Sequence, residues 1–571
     1  MIKKVTVQLI LLSLFNVVVY SQNGVVNIDT IYFNIDINKR IILVNRNVGE
    51  LNSSYSESKN SILSNGANYT LITPVSEFEI GTTYKVSDIQ GEYSDLYFTQ
   101  LPIINITSNN TIVNEPSVHA HFSMCESDGN FIENAIGIEY RGGWTQTLSK
   151  KSFKIEFWND TSGNNTEDFS LLEMRSDDDW NIQAMYNEPL RLRSKVNFEL
   201  WREIDTLYYT EDEPKATNGV TQEYVELFVN KEYRGLYALS ERVDRKQLQL
   251  EKFKNGEIRG ELYKGVSWGA STFTSLPQYD NNSEVWSGFE YEYPDDEINW
   301  TNIYELVDFV INEDSITFYE NYQDKFKIDN AVNYFIFLNL LRATDNTGKN
   351  IFIARYNNDE PYFYIPWDLE GTFGMIWNGT KENITDDILT NGFYKRLILD
   401  NEENGFLEKL KRRWNELRHY IISVESIIEA FNTQFHYLKA NGVYERELKA
   451  WSDCEFFDYN NIEYTYEWLE NRLNYLDNIF NNPELLTSIQ EDKLIEKIRF
   501  RIFPNPASIY LYFDVLYSSN FIGTAIAVCP PITTPQPIAG FLPALAYAKA
   551  YALWSMPHPT CIPNILLFLP T

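Results

Sequence analysis

The sequence predicts an α+β protein, a small N-terminal β module followed by a larger two-lobed domain. Three observations lead there. At 571 residues and 44% hydrophobic, the chain is long enough for more than one core and has the composition of a globular protein. From Asn23 to about Leu101, short apolar-polar alternations are punctuated by Asn, Ser and Gly, the pattern of strands and turns. From residue 101 to about 485, strand patterns come first and long helical patterns follow, which suggests two segregated lobes.

Residues 1–21 read as a signal peptide: Lys3 and Lys4, an apolar run from Val7 to Val19, then Tyr20-Ser21-Gln22. The run falls short of the ~20 residues of a spanning helix, so no membrane segment is expected after cleavage. Residues 22–100 form the β module, with strands expected at Thr30–Ile35 and Ile41–Val44. In the main domain, 101–485, strands are expected at 134–140, 150–158, 223–230 and 233–240. Helices are expected at 303–312, 328–343, 404–420, 422–439 and 461–481. Asn187-Glu188-Pro189 reads as a helix start, followed by a stripe of Leu192, Val196, Leu200 and Ile204. Residues 486–515 are a connector whose IFPNPAS segment (502–508) resembles the opening of the sorting module that Bacteroidetes-type bacteria use for type IX secretion. In 516–571 one Lys is the only charged residue and nine of the 21 Pro fall there, so no packed fold is expected.

Four Cys are too few for a disulfide scaffold in an exported chain of this size, and without a CxxC pair or clustered His a zinc site has little support. His119 and His121, two apart on a strand, read as surface positions. A net charge of −32 argues against a nucleic-acid partner, which needs Lys and Arg in excess. It suits a cation-bridged ligand, or simply solubility.

The chemistry concentrates in residues 329–374. A helix with apolar positions at Val332, Phe335, Ile336, Leu340 and Leu341 stops at Thr344-Asp345-Asn346. Asn350 lies five positions after Asp345, the spacing by which a protein-kinase catalytic loop presents its base and then a metal ligand. Two strand candidates follow, 351–356 and 362–366, and directly after them Asp368-Leu369-Glu370-Gly371 stands where a kinase has its metal-binding Asp-Phe-Gly. A nucleoside triphosphate is bound with Mg²⁺ or Mn²⁺, hard cations that take carboxylate and amide oxygens, and Asp368 and Asn350 can supply these. Asp345 would orient and deprotonate an acceptor hydroxyl.

The strand-rich half supplies the partner surface. Arg141-Gly142-Gly143 sits between two strands, and on the second Phe153, Ile155 and Phe157 alternate with Lys154 and Glu156. Either Lys151 or Lys154 could hold phosphate oxygens, Glu199 is the internal carboxylate chosen to pair with that lysine, and Glu241 ends the strand 233–240 where an adenine edge could bond. The strands 223–230 and 233–240 are joined by a tight turn at Asn230-Lys231.

Together RGGWTQTLSKKSFKIEF, NEPLRLRSKVNFELW, YVELFVNKEYRGLYALSERV, TDNTGKN and PWDLEGTFG resemble the CotH family, named for spore coat protein H, over roughly residues 101–480. The resemblance implies a secreted or coat-associated atypical kinase fold that binds ATP with divalent metal and phosphorylates proteins on Ser; the expected function is Mg-ATP-dependent phosphoryl transfer to Ser or Thr of secreted or cell-surface proteins. Asp345 then resembles the catalytic Asp, Asp368 the metal-binding Asp and Asn350 the second ligand. Where the family has an RGNSS-like turn this chain has RGGWTQ, and Ser149 replaces the Pro before the paired Lys. The expected location is secreted or cell-surface, reached through the periplasm. The alternative is a non-catalytic surface-binding or adhesion module on the same fold, its 15% aromatic content forming contact patches. A glycoside hydrolase would need a carboxylate pair across a sugar cleft.

Overall fold

The computed structural model describes residues 24–482 and 484–488, and the backbone of four later strands. The signal-peptide reading at 1–21, residues 505–508 of the sorting motif and most of 529–571 lie outside the described residues. The chain divides into two units, residues 1–478 and 479–571.

Period-two alternation builds the first half. β1 (Val25–Asn27), β2 (Phe33–Asp36), β3 (Ile41–Val44), β4 (Lys59–Ser64), β5 (Ala67–Val75), β6 (Tyr84–Ser87) and β7 (Tyr93–Phe98) form a seven-stranded sheet in the order β1-β4-β5-β6-β7-β3-β2. Helix α1 (Val48–Ser54) packs in this part, capped by the Asn47 side chain. One face of the sheet is closed by Val26, Ile42, Val44, Ile62, Val86 and Phe98.

A closed barrel follows, built from β8 (Ile103–Thr107), β9 (Val118–Cys125), β10 (Phe131–Arg141), β11 (Ser152–Trp158), β14 (Asp179–Gln183), β15 (Gln222–Val229) and β16 (Glu232–Ser240). A ribbon of β12 (Phe169–Ser170) and β13 (Ser176–Asp177) precedes β14. Side chains alternate in and out along a strand. Phe153, Ile155 and Phe157 therefore enter the barrel core with Ile138, Trp180, Leu227 and Leu239, and Lys154 and Glu156 stand outside. The turn Asn230-Lys231 has φ of 51° and 66°, as a tight hairpin requires.

Between β14 and β15 lies α2 (Arg193–Ile204), and the stripe Leu192, Val196, Leu200, Ile204 is buried. The helix starts beyond Pro189, correcting the expected start there: Arg191 takes φ 62°, and the Glu188 carboxylate accepts from the Leu192 N–H at 2.6 Å. After the short α3 (Arg245–Leu248), a five-stranded sheet has the order β18-β19-β17-β20-β21, from β17 (Glu261–Gly265), β18 (Val285–Trp286), β19 (Phe289–Tyr293), β20 (Ile351–Arg355) and β21 (Phe363–Pro366). Its helices are α4 (Thr301–Asn312), α5 (Ser315–Lys325), α6 (Ile328–Leu341), α7 (Gly392–Leu397), α8 (Phe406–Tyr420), α9 (Val424–Ala440), α10 (Val443–Ala450) and α11 (Asn461–Asn481). The architecture is mixed α/β. No helix among the described residues is long and apolar enough to cross a membrane.

In the second unit, β22 (Arg499–Pro504), β23 (Tyr510–Tyr517), β24 (Asn520–Val528) and β25 (Leu566–Leu567) form one sheet. Two of these strands thus fall within 516–571, the segment read from sequence as unpacked.

Candidate functional site

Helix α6 is apolar on nearly every side and buried along its length, so it is a central core helix. It ends at Leu341 because Arg342 turns left-handed, with φ 50°, and its guanidinium is held by Asp387 at 3.0 Å and by Glu382. A 3₁₀ turn, Thr344–Thr347, follows and carries Asp345. The next residue, Asn346, is buried, and its Nδ2 donates to the carbonyls of Asn350 and Trp367, each at 2.8 Å. The Tyr334 hydroxyl of α6 donates to the Asn346 carbonyl at 2.9 Å.

The hairpin β20–β21 supplies the rest. Its register pairs Ile351 with Pro366, and one step beyond, the Trp367 N–H donates to the Asn350 carbonyl at 3.0 Å. Asn350 and Asp368 are thereby brought alongside each other at the end of the same hairpin. From the other side the Asn350 N–H donates to the Gly265 carbonyl at 2.8 Å. A side chain at Gly265 would collide with the Gly348 carbonyl, so glycine lets the Asp345–Asn350 loop press on β17.

Asn350 and Asp368 both sit on left-handed backbone, φ 55° and 52°. Such conformations are strained for most residues, better tolerated by Asn and Asp, and cluster at functional sites. Among the described residues, the side chains of Asp345, Asn350 and Asp368 make no hydrogen bond, and Asp345 has only Lys349 at 4.0 Å. Burial raises the Asp345 carboxyl above its ordinary value, against the pull of Lys349. Asp368 is raised by burial and further by the charge of Asp345, with Arg141 and Lys349 opposing. Asp368 is nevertheless exposed at the surface, although surrounding protein raises its carboxyl. Glu370 is pushed up to about 8 by burial and the neighbouring Asp368 charge. Two carboxylates and an amide, free of hydrogen bonds among the described residues, are the hard oxygen donors that Mg²⁺ or Mn²⁺ takes, and the donor set fits such an ion.

The barrel brings Arg141 to the hairpin end. Arg141, at the end of β10, lies 5.6 Å over the Trp367 ring, and burial pushes its guanidinium down to about 10 against the attraction of Asp368 and Glu370. The β10–β11 register places Glu139 opposite Lys154 and Arg141 opposite Ser152, so Lys154 shares the outer barrel face with Arg141. Its ammonium stands 3.7 Å from Asp179, which also holds Arg242 at 2.6 Å. Lys151 precedes the strand and donates to the carbonyls of Gln146 and Leu148 in its own loop. Glu199 pairs with Lys195 one helical turn earlier, at 3.0 Å, and not with either candidate lysine, which corrects the expected pairing. Glu241 is buried, accepting from the N–H groups of Thr221 at 2.8 Å and Arg175 at 3.2 Å, so its side chain holds loops together and does not line the cleft.

Sequence reasoning passed over Arg141, Asn346, Lys349 and Glu370. For Asn346, Lys349 and Glu370 a signal existed, since each adjoins a candidate ligand. For Arg141 there was none, because its approach to Asp368 depends on how the barrel meets the hairpin. The only three acidic groups that cluster tightly among the described residues, Asp168, Asp177 and Asp178, surround the Lys246 ammonium at 2.7 to 3.2 Å.

A mixed α/β fold with this loop, hairpin and carboxylate arrangement describes a kinase-like protein. The family model for CotH kinase protein matches residues 138–476, more than half of the chain, and the chain belongs to that family. No curated protein matches it. Among solved structures, the Helicobacter pylori proinflammatory kinase CtkA is similar over 56% of this chain and 94% of its own, at 12% identity and a TM-score of 0.25.

Proposed function

We propose that this chain is an exported protein kinase that transfers the γ-phosphoryl group of ATP to Ser or Thr hydroxyls of secreted or cell-surface proteins. The observation that carries the reading is the placement of Asp345, Asn350 and Asp368 on one helix end, loop and hairpin, three oxygen-bearing side chains without a hydrogen bond among the described residues, with the Asn346 amide tying the loop to the hairpin end. Membership of the CotH kinase family supports it.

In this reading the barrel face and the hairpin form the two walls of a two-lobed cleft. Asp368 and Asn350 would hold Mg²⁺ or Mn²⁺, which when bound offsets the charge of the phosphates. Lys154 is the choice between the two lysines, because it shares the face of Arg141 whereas Lys151 lies on the side of the inward-facing Phe153. Lys154 and Arg141 orient phosphate oxygens from the barrel side. Asp345 accepts the proton of the acceptor hydroxyl, and its raised proton affinity makes it a better base than a free carboxylate. The exposed Trp268 and Trp377, 52% and 50% accessible, favour the second reading, a surface-binding module without chemistry.

Two measurements separate these. With labelled ATP and Mg²⁺, Asp345→Ala and Asp368→Ala should each lower phosphate incorporation by about 10²-fold or more, the scale of a lost catalytic acid-base or charge-stabilising group. In a thermal-shift titration MgATP should raise Tm for the parent and for Asp345→Asn, and fail to do so for Asp368→Asn. Unchanged incorporation in both alanine variants would remove the mechanism, and a parent protein with neither shift nor incorporation is the binding module.

A further inference from the structure

The two faces of β11 lead to different places. Lys154 looks to the cleft, whereas Phe153 and Lys151 line a separate cavity of about 370 Å³ at the open end of the barrel, where β8, β10 and β15 finish. A cavity of that size lies in the range used for small-molecule sites, and barrel mouths are a recurrent place for them.

Its lining has a definite chemistry. Lys151 and Arg234 both reach it, and no carboxylate lines it among the described residues, in a chain of net charge −32. Lys151 bonds only to neutral backbone carbonyls, so its charge has no acidic partner there. One nitrogen of Arg234 pairs with Glu232 at 2.8 Å, while its Nε is buried without a hydrogen bond. Two cations facing an acid-free cavity select an anion.

The rest of the lining suits a hydroxylated ring. Tyr140 is the half-buried ring of the lining, backed by Phe153 and Tyr237 of the barrel core at centroid spacings of 5.5 and 6.2 Å. Above it, Asn109, Asn110 and Asn230 offer amides at the rim. That rim is already fixed: the Ser108 N–H donates to Asn230 Oδ1 at 2.9 Å, the Ser108 hydroxyl to the His119 carbonyl at 2.9 Å, and the Tyr140 N–H to the Val113 carbonyl at 2.8 Å. A pre-formed rim lowers the ordering cost of binding.

We propose that this barrel mouth is a binding site for a monosaccharide-sized phosphate or sulfate ester, its anionic group on Lys151 and Arg234 and its ring against Tyr140 and the rim amides. The site is distinct from the nucleotide cleft because residues of opposite parity on β10 and β11 line the two.

Isothermal titration of the full chain with glucose 6-phosphate, glucose 6-sulfate and glucose, in excess MgATP, tests it. At least one ester should bind and glucose should not, and the ester that binds names the natural anion. Lys151→Gln and Arg234→Gln should each weaken binding about tenfold or more. Thr111→Glu, on the exposed rim loop where folding is not at stake, should abolish it by placing like charge at the mouth. The proposal is overturned if neither ester binds, if glucose binds as well as the esters, if excess MgATP displaces the ester, or if Thr111→Glu leaves binding intact.

Discussion

Asn346 holds two carbonyls with one amide group, and through them it sets where Asn350 and Asp368 begin. The Asn350 carbonyl keeps a second donor, the Trp367 N–H, but among the described residues Asn346 is the one donor to the Trp367 carbonyl. Asn346→Ala should therefore cost about 1–3 kcal/mol in urea unfolding, the scale of a buried acceptor left unsatisfied. MgATP affinity should fall further than stability alone explains; equal affinity would show that the clamp does not position the site. Glu370 makes a second residue-scale prediction. Its folded-state value, about 8, lies above that of a free carboxyl, so the protonated form is favoured by folding. The contribution is fully present below about pH 4.5 and is lost as pH rises through about 8. Metal-free protein should lose stability between pH 5 and 9, and Glu370→Gln should flatten that decline. A variant with the parent's pH profile would place the titrating group elsewhere.

At the scale of elements, α10 shows how the barrel is anchored. Glu447 accepts from Lys150 at 2.7 Å, from Arg191 at 3.3 Å and from the Leu236 N–H at 2.8 Å, all in the interior. Burial meanwhile pushes the Lys150 ammonium down to about 8 against the attraction of Glu447. Glu447→Ala would strand two buried cations and should destabilise by about 3–5 kcal/mol, whereas Glu199→Ala, which breaks a part-exposed pair with Lys195, should cost about 0–1 kcal/mol. Denaturant midpoints of the two variants check this, and similar losses would mean that the α10 network is not what holds the barrel. The sequence signals that survived folding are those of local periodicity: α6, α8, α9 and α11, and the strand pairs β10–β11 and β15–β16, follow from spacing of apolar residues. Asp345, Asn350 and Asp368 were legible because a helix end, a short loop and one hairpin bring them together, all within a few dozen residues. What was not legible depends on distant partners. Lys151 and Lys154 differ in facing only once the barrel closes, Glu199 met Lys195 before any strand lysine, and the start of α2 moved because Glu188 and Arg191 are engaged by α10 and by Arg193.

For the whole molecule, the contact that matters most is between two exposed rings. Trp144, in the turn after Gly142 at φ 98°, meets Trp377, downstream of Asp368, edge to face at 5.1 Å and 85°. One ring belongs to the barrel loop that follows Arg141 and the other to the segment leaving the hairpin after Asp368, so the pair links the barrel to that segment. An edge-to-face pair contributes about 0.5–1.5 kcal/mol, enough to favour a closed contact and too little to prevent its opening. If the cleft admits nucleotide past this pair, Trp144→Ala and Trp377→Ala should each speed MgATP release several-fold in stopped-flow fluorescence while changing Tm by little. The double variant should release nucleotide no faster than either single one, because both changes delete the same contact. Additive effects would mean that each ring acts alone and that the pair does not gate the cleft.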